Sequence, residues 1–111
     1  RFLERNIARE NREVQCVLFT IDEPEDEAFD SIALQRQMEH LEHAITSSLR
    51  KGDVTTNYSS SQMLALLMDG NQDNSKVVID RILQKYRQEV GEDAMKIIYE
   101  SQTLMPEEQV Y

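Results

Sequence analysis

The chain is poor in cysteine, in basic residues and in long apolar runs, and each shortage removes a class of answers. Cys16 is the single cysteine and lies inside the apolar run Val14-Gln15-Cys16-Val17-Leu18-Phe19-Thr20-Ile21. A disulfide framework and a thiolate metal site are both excluded, and a reducing cytoplasm is the expected compartment. Lys and Arg number 12 against 21 Asp and Glu, for a formal net charge of -9 and a pI near 4.6. Most of such a surface repels nucleic acid and anionic membranes, so neither is expected as a partner. No stretch approaches the roughly 20 apolar residues of a membrane span, and no signal-peptide pattern opens the chain. The chain starts without Met, inside a helical pattern. The expectation is one domain over 1–111, cut from the C-terminal part of a longer protein.

What is present suffices for one core: 111 residues, 40% of them apolar. Phe2, Leu3 and Ile7 share one side of a short N-terminal helix. The run 14–21 reads as a strand too apolar to be half exposed, hence central in a sheet with both faces covered. An acidic loop follows over 22–27. From Ile32, the apolar positions Leu34, Met38, Leu41, Ile45 and Leu49 draw one stripe down a helix, with Asp30 or Ser31 as its cap. Segments 53–58 and 63–68 read as a hairpin with Ser61 and Gln62 at its tip, followed by a polar loop over 69–74. A second helix starts near Ser75, turns Val78, Ile79, Ile82, Leu83 and Tyr86 inward, and stops before Gly91. Residues 95–99 form the last strand, and Met105-Pro106-Glu107-Glu108 is an exit segment. This order predicts an α+β fold: a ferredoxin-like split βαβ with a four-stranded antiparallel sheet, two main helices on one face and the short N-terminal helix. Val17, Phe19, Leu66, Ile82 and Ile98 are expected to converge in its core.

Leu49-Arg50-Lys51-Gly52-Asp53-Val54-Thr55-Thr56-Asn57-Tyr58, a four-residue turn, and then Met63-Leu64-Ala65-Leu66-Leu67 resemble, without a gap, the centre of the GGDEF family of diguanylate cyclase domains. Family members read Leu-Arg-x-x-Asp, three residues, Arg-Tyr, Gly-Gly-Asp/Glu-Glu-Phe and an apolar strand. Arg1-Phe2-Leu3-Glu4 resembles the segment just after the family's Asn-Arg signature, so the resemblance spans nearly the whole chain. It implies the nucleotidyl cyclase-like version of the fold, a place in bacterial signal transduction, and an upstream sensor or receiver domain in the same protein. A homodimer is a further expectation.

The departures fall on the positions that carry the family's chemistry. Ser59 and Ser60 replace the two glycines that let backbone approach the GTP phosphates. Ser61 and Gln62 replace the acidic pair, and neither carries the charge needed to hold magnesium or activate a hydroxyl. Met63 stands for the Phe. The family's Asp-x-Asp at the end of the first strand is Thr20-Ile21-Asp22, leaving Asp22 as the residual carboxylate. The signatures that follow are replaced by the shorter acidic stretch Glu23-Pro24-Glu25-Asp26. Phosphoryl transfer depends on metal charge and positioning, so the expectation is no enzyme, no metal and no cofactor.

One family site is matched. Arg50-Lys51-Gly52-Asp53, with Arg81 on the next helix, resembles the inhibitory site at which these cyclases bind their product, cyclic di-GMP. The resemblance implies Arg forks on phosphate or guanine and Asp accepting from guanine. The plainer reading is that Arg50 ends a helix, Asp53 starts a strand and Arg81 belongs to a solvated face. His40 and His43 lie three apart on one helix, but without metalloprotease spacing, so a solvated face is favoured there too. The serine run 59–61 has no nearby His and no Gly-x-Ser-x-Gly elbow, which favours a turn over a nucleophile. Met38, Met63 and Met68 read as core filler. Three functions remain: a catalytically inactive GGDEF-like regulatory domain that senses cyclic di-GMP, an active cyclase with a divergent motif, or a dimerisation module.

Overall fold

Alternation along the first strand decides the architecture. In β1 (Val14–Asp22) the residues Gln15, Val17, Phe19 and Ile21 are buried, while Val14, Cys16, Leu18 and Thr20 are half-buried. The computed structural model describes residues 14–22, 31–68 and 72–104. The N-terminal helix, most of the acidic loop and the exit segment expected above lie outside these residues.

The other elements are α1 (Ser31–Thr46), β2 (Val54–Ser59), β3 (Gln62–Leu67), α2 (Gln72–Val90), a short 3-10 turn (Gly91–Asp93) and β4 (Lys96–Leu104). The sheet order is β2-β3-β1-β4, and every neighbouring pair is antiparallel. This is the expected α+β arrangement. Val17, Phe19 and Ile21 of β1 join Met63, Ala65 and Leu67 of β3 on one face. The helices cover that face with Leu34, Met38, Leu41, Ala44 and Ile45 from α1 and Val78, Ile79, Ile82, Leu83 and Tyr86 from α2. Each set repeats at three- and four-residue intervals, which places it on one stripe of its helix.

Two core assignments are corrected. Leu66 pairs with Cys16 and Ile98 with Thr20, so both stand on the sheet face away from the helices. Leu66 is half-buried and Ile98 is 44% exposed. The period of a strand is two, so Ala65, Ile97 and Tyr99 take the inward places. The same parity corrects the view of β1 as covered on both faces: one face is sealed and the other is half-covered.

Three boundaries also move. β4 runs five residues beyond the expected strand and stays in register with β1 to Val14↔Leu104. Its later residues are polar because the buried Gln15 needs them: the Gln15 amide donates to Thr103 Oγ1 (2.6 Å) and accepts from Ser101 Oγ (2.9 Å). Helix α1 ends at Thr46, before Leu49; Ser48 Oγ donates back to Ala44 O and Lys85 Nζ to Ser47 O, meeting the carbonyl end of the helix with a cation. Helix α2 starts three residues before Ser75. It ends before Gly91, as expected, where φ is +86° and a glycine avoids strain.

A buried polar node ties the layers together. Gln37, on the inward stripe of α1, accepts through Oε1 from the Tyr86 hydroxyl and from the Met95 N–H (2.7 Å), and donates to Asp93 O (2.7 Å). Burial pushes the Tyr86 phenol up to about 12, with the Met95 contact opposing the shift.

Two outcomes follow. Replacing the fully buried Leu41 or Ile82 by Ala should cost about 2–5 kcal/mol in chemical denaturation, whereas Leu66→Ala, half-buried on the other face, should cost less. Tyr86 resists ionisation only when folded, so its stabilising effect is complete below pH 10 and is lost as pH rises from 10 towards 12. Tyr86→Phe should flatten that part of the stability profile.

Candidate functional site

The hairpin that should carry the chemistry is closed by its own polar groups. β2 pairs with β3 up to Asn57↔Met63, a bulge intervenes at Tyr58, and Ser59 meets Gln62. Ser60 and Ser61 form the tip, and Gln62 opens β3. Ser59 Oγ donates to Gln62 Oε1 (2.9 Å) and accepts from the Ser61 N–H (3.3 Å). Across the sheet, Ile21 N–H donates to Ser61 O (2.8 Å), which fixes the tip against β1. Thr20 and Gln62 are register partners, and the Gln62 amide donates to Thr20 Oγ1 at 3.2 Å. A neutral hydrogen bond therefore joins two positions at which the sequence resemblance calls for acids. Asp22 is exposed at the end of β1, opposite Lys96.

A hard divalent cation prefers several oxygen ligands, carboxylates above all. Thr20, Ser61 and Gln62 are neutral and already bonded to protein partners, so they do not fit magnesium. Among the described residues no group of three or more His, Cys, Asp or Glu is arranged to hold a metal.

A groove of about 430 Å³ lies where α1 meets the hairpin, lined by Ser31, Leu34, Gln35, Met38, Glu39, Glu42, Asn57 and Ser60. Leu34 and Met38 are buried, and the charged groups on the lining are both carboxylates. Its volume suits a small ligand, but its charge opposes a triphosphate.

The Arg-x-x-Asp segment is a turn. Asp53 N–H donates to Arg50 O (3.0 Å), and Gly52 takes φ +97° at the third position, where a side chain would be strained. The Asp53 carboxylate is committed to backbone: Oδ2 accepts from Arg50 N–H (2.8 Å) and Oδ1 from Met68 N–H (2.8 Å). It thereby staples the α1–β2 connection to the end of β3. Arg50 and Asp53 line one narrow hollow with Leu67, Met68, Asn74, Ser75 and Val78. Arg81 is exposed on α2 and is not part of that lining. Arg50 and Asp53 share this lining, and Arg81 lies on α2 three residues beyond the lining residue Val78.

His40 and His43 lie on an exposed face, as expected, and share a carboxylate there. Their Nδ1 atoms meet the two oxygens of Glu89 on α2, at 3.3 and 3.0 Å. The contact with His43, with a smaller one from His40, holds the Glu89 carboxyl below its ordinary range.

Sequence reasoning missed Gln37 and Ser75, although each carried a signal. Gln37 sits at the inward spacing of Leu34 and Leu41, and Ser75 at that of Val78, Ile79 and Ile82. Both are buried.

No protein-family model matches the chain, and no curated protein matches it. Solved structures do. An EAL/GGDEF domain protein from M. capsulatus superposes with a TM-score of 0.68 at 16% identity, over 91% of this chain and 72% of that one. A DGC protein from Thermotoga maritima gives 0.63 at 13% identity, over 90% and 72%. The fold is that of the GGDEF domains. A fragment of PelD from Pseudomonas aeruginosa PA14 gives 0.52 at 15% identity; it is matched over 90% of this chain, which spans 37% of that protein chain. The GGDEF fold is thus present with 13–16% identity to these structures. No helix among the described residues is long and apolar enough to cross a membrane.

The Glu89 contact gives a pH test. A depressed carboxyl stabilises the folded state above the ordinary glutamate range and loses that effect as pH falls below that range through its lowered folded value. Carbon-detected NMR titration should place Glu89 below its usual range, and His43→Ala should move it back up.

Proposed function

We propose that the chain is a regulatory domain of GGDEF fold that performs no phosphoryl transfer. The observation that carries this reading is the hydrogen bond from the Gln62 amide to Thr20 Oγ1. Diguanylate cyclase chemistry needs a metal to neutralise charge on the transferring phosphate, and an amide bonded to a hydroxyl offers no anionic ligand for it. Two further features support it. The Ser59 hydroxyl is engaged with Gln62 and the Ser61 N–H, and the adjacent groove carries Glu39 and Glu42 where a triphosphate would need cations. A domain of this kind acts by changing its contacts with a sensor or output segment.

Cyclic di-GMP is the ligand proposed for it. Arg50 supports this: it shares a hollow with Asp53 and makes no ion pair among the described residues. Against Asp53 as a guanine acceptor stands its commitment to two backbone N–H groups, which makes it first a structural residue. In this form of the site Arg50 does most of the binding, with the exposed Arg81 as the second cation.

Incubation with GTP and magnesium or manganese should yield no cyclic di-GMP above a protein-free control; sustained product formation would overturn the proposal. Restoring glycines at Ser59 and Ser60 and acids at Ser61 and Gln62 should not rescue activity, because Thr20 still withholds a carboxylate from β1.

A further inference from the structure

β4 is an edge strand whose outer side is open. The sheet ends on it, and among the described residues no backbone hydrogen bond joins it to anything but β1. The other edge, β2, is six residues long and interrupted by the bulge at Tyr58, a common device for keeping a free edge from pairing. β4 has nine residues, no proline and no break in its register with β1. Ile98 and Leu104 stand out from it, 44% and 41% exposed. An unbroken edge that presents unpaired N–H and C=O groups beside apolar side chains is a template for a further strand.

We propose that this further strand is the β4 of a second copy, paired antiparallel about Ile98. A two-fold axis normal to the sheet keeps every side chain on its own face, so each residue meets one of equal parity in the other copy. Centred on Ile98, Lys96 lies opposite the partner's Glu100, Glu100 opposite the partner's Lys96, and Ile98 opposite the partner's Ile98. All three stand on the face away from the helices. On the helix side the half-buried Ile97 meets the partner's Tyr99. No other centre along the strand pairs the two charges: centring on Glu100 sets like charges face to face, and centring on Tyr99 sets Glu100 against the partner's Ile98. Charged residues on an edge ordinarily discourage a second strand. Here one of each sign, four residues apart, selects a single register instead. The net charge of -9 on each copy opposes association, so the dimer is weak. β2 and β3 lie at the other end of the sheet order, so each hairpin points away from the junction.

The test is analytical ultracentrifugation of the 111-residue chain over a wide range of concentration. Its mass should rise from 13.0 kDa towards twice that value. Glu100→Lys should weaken dimerisation about tenfold or more, because both charge pairs across the junction become repulsive. Lys96→Glu should do the same. Within the chain Lys96 stands opposite Asp22, so that variant also loses a favourable pair inside the fold; Glu100 stands opposite Leu18, so Glu100→Lys reads the junction by itself. An equimolar mixture of the two variants restores both pairs in a heterodimer and should recover the mass of the wild type. A change in fold alone would not give that recovery. A wild-type chain that stays at 13.0 kDa at every concentration overturns the proposal, as does a dimer that Glu100→Lys leaves unchanged. A dimer weakened by both folded variants and not recovered on mixing overturns the pairing about Ile98.

Discussion

The amide of Gln37 holds three elements of the domain in one arrangement. Tyr86 brings α2 to it, Met95 and Asp93 bring the lead-in to β4, and Gln37 itself belongs to α1. A buried amide with unmet bonds would cost more than any single apolar contact nearby, so these elements are constrained together. β4 then enters beside β1 with Ile97 and Tyr99 facing the helices, and Tyr99 packs against Phe19 at a ring separation of 6.5 Å. Gln15 repeats the device at the far end of the same strand pair. Polar bonds at both ends thus fix the register that the apolar core then fills.

That register decides what the hairpin can do. β1 and β3 are paired so that Thr20 faces Gln62 across the sheet, and the tip is pinned by Ile21 N–H to Ser61 O. With acids at both positions the pair would be a divalent-metal site under repulsive tension when empty. With a hydroxyl and an amide it is a stable cross-strand contact that asks for no ion. The fold therefore joins β1 to the hairpin with neutral groups here, and the contact carries no electrostatic repulsion.

Much of this was legible because it depends on period. The stripes of α1 and α2 and the apolar run of β1 repeat at spacings that belong to one element type, and the gapless match through 49–67 fixed the hairpin. What depends on parity was less accessible: Leu66 and Ile98 are as apolar as their neighbours, and a shift of one residue sends them to the other face. The extension of β4 escaped notice because Ser101 and Thr103 look like loop residues until Gln15 is seen to need them. At the candidate ligand site, Arg50 and Asp53 came from the family resemblance, and the Arg50 N–H does meet the Asp53 carboxylate. Two features were invisible without coordinates: the commitment of Asp53 to Arg50 and Met68, and the isolation of the Ser75 hydroxyl.

The central claim is that the hairpin presents no metal-binding nucleotide site, and paramagnetic broadening by manganese in the presence of a non-hydrolysable GTP analogue tests it directly. Manganese held between β1 and the hairpin would selectively erase the amide signals of Thr20, Ser61 and Gln62. The account predicts that these signals persist at manganese concentrations that saturate an ordinary phosphoryl-transfer site. Their saturable loss, dependent on the nucleotide, would contradict it.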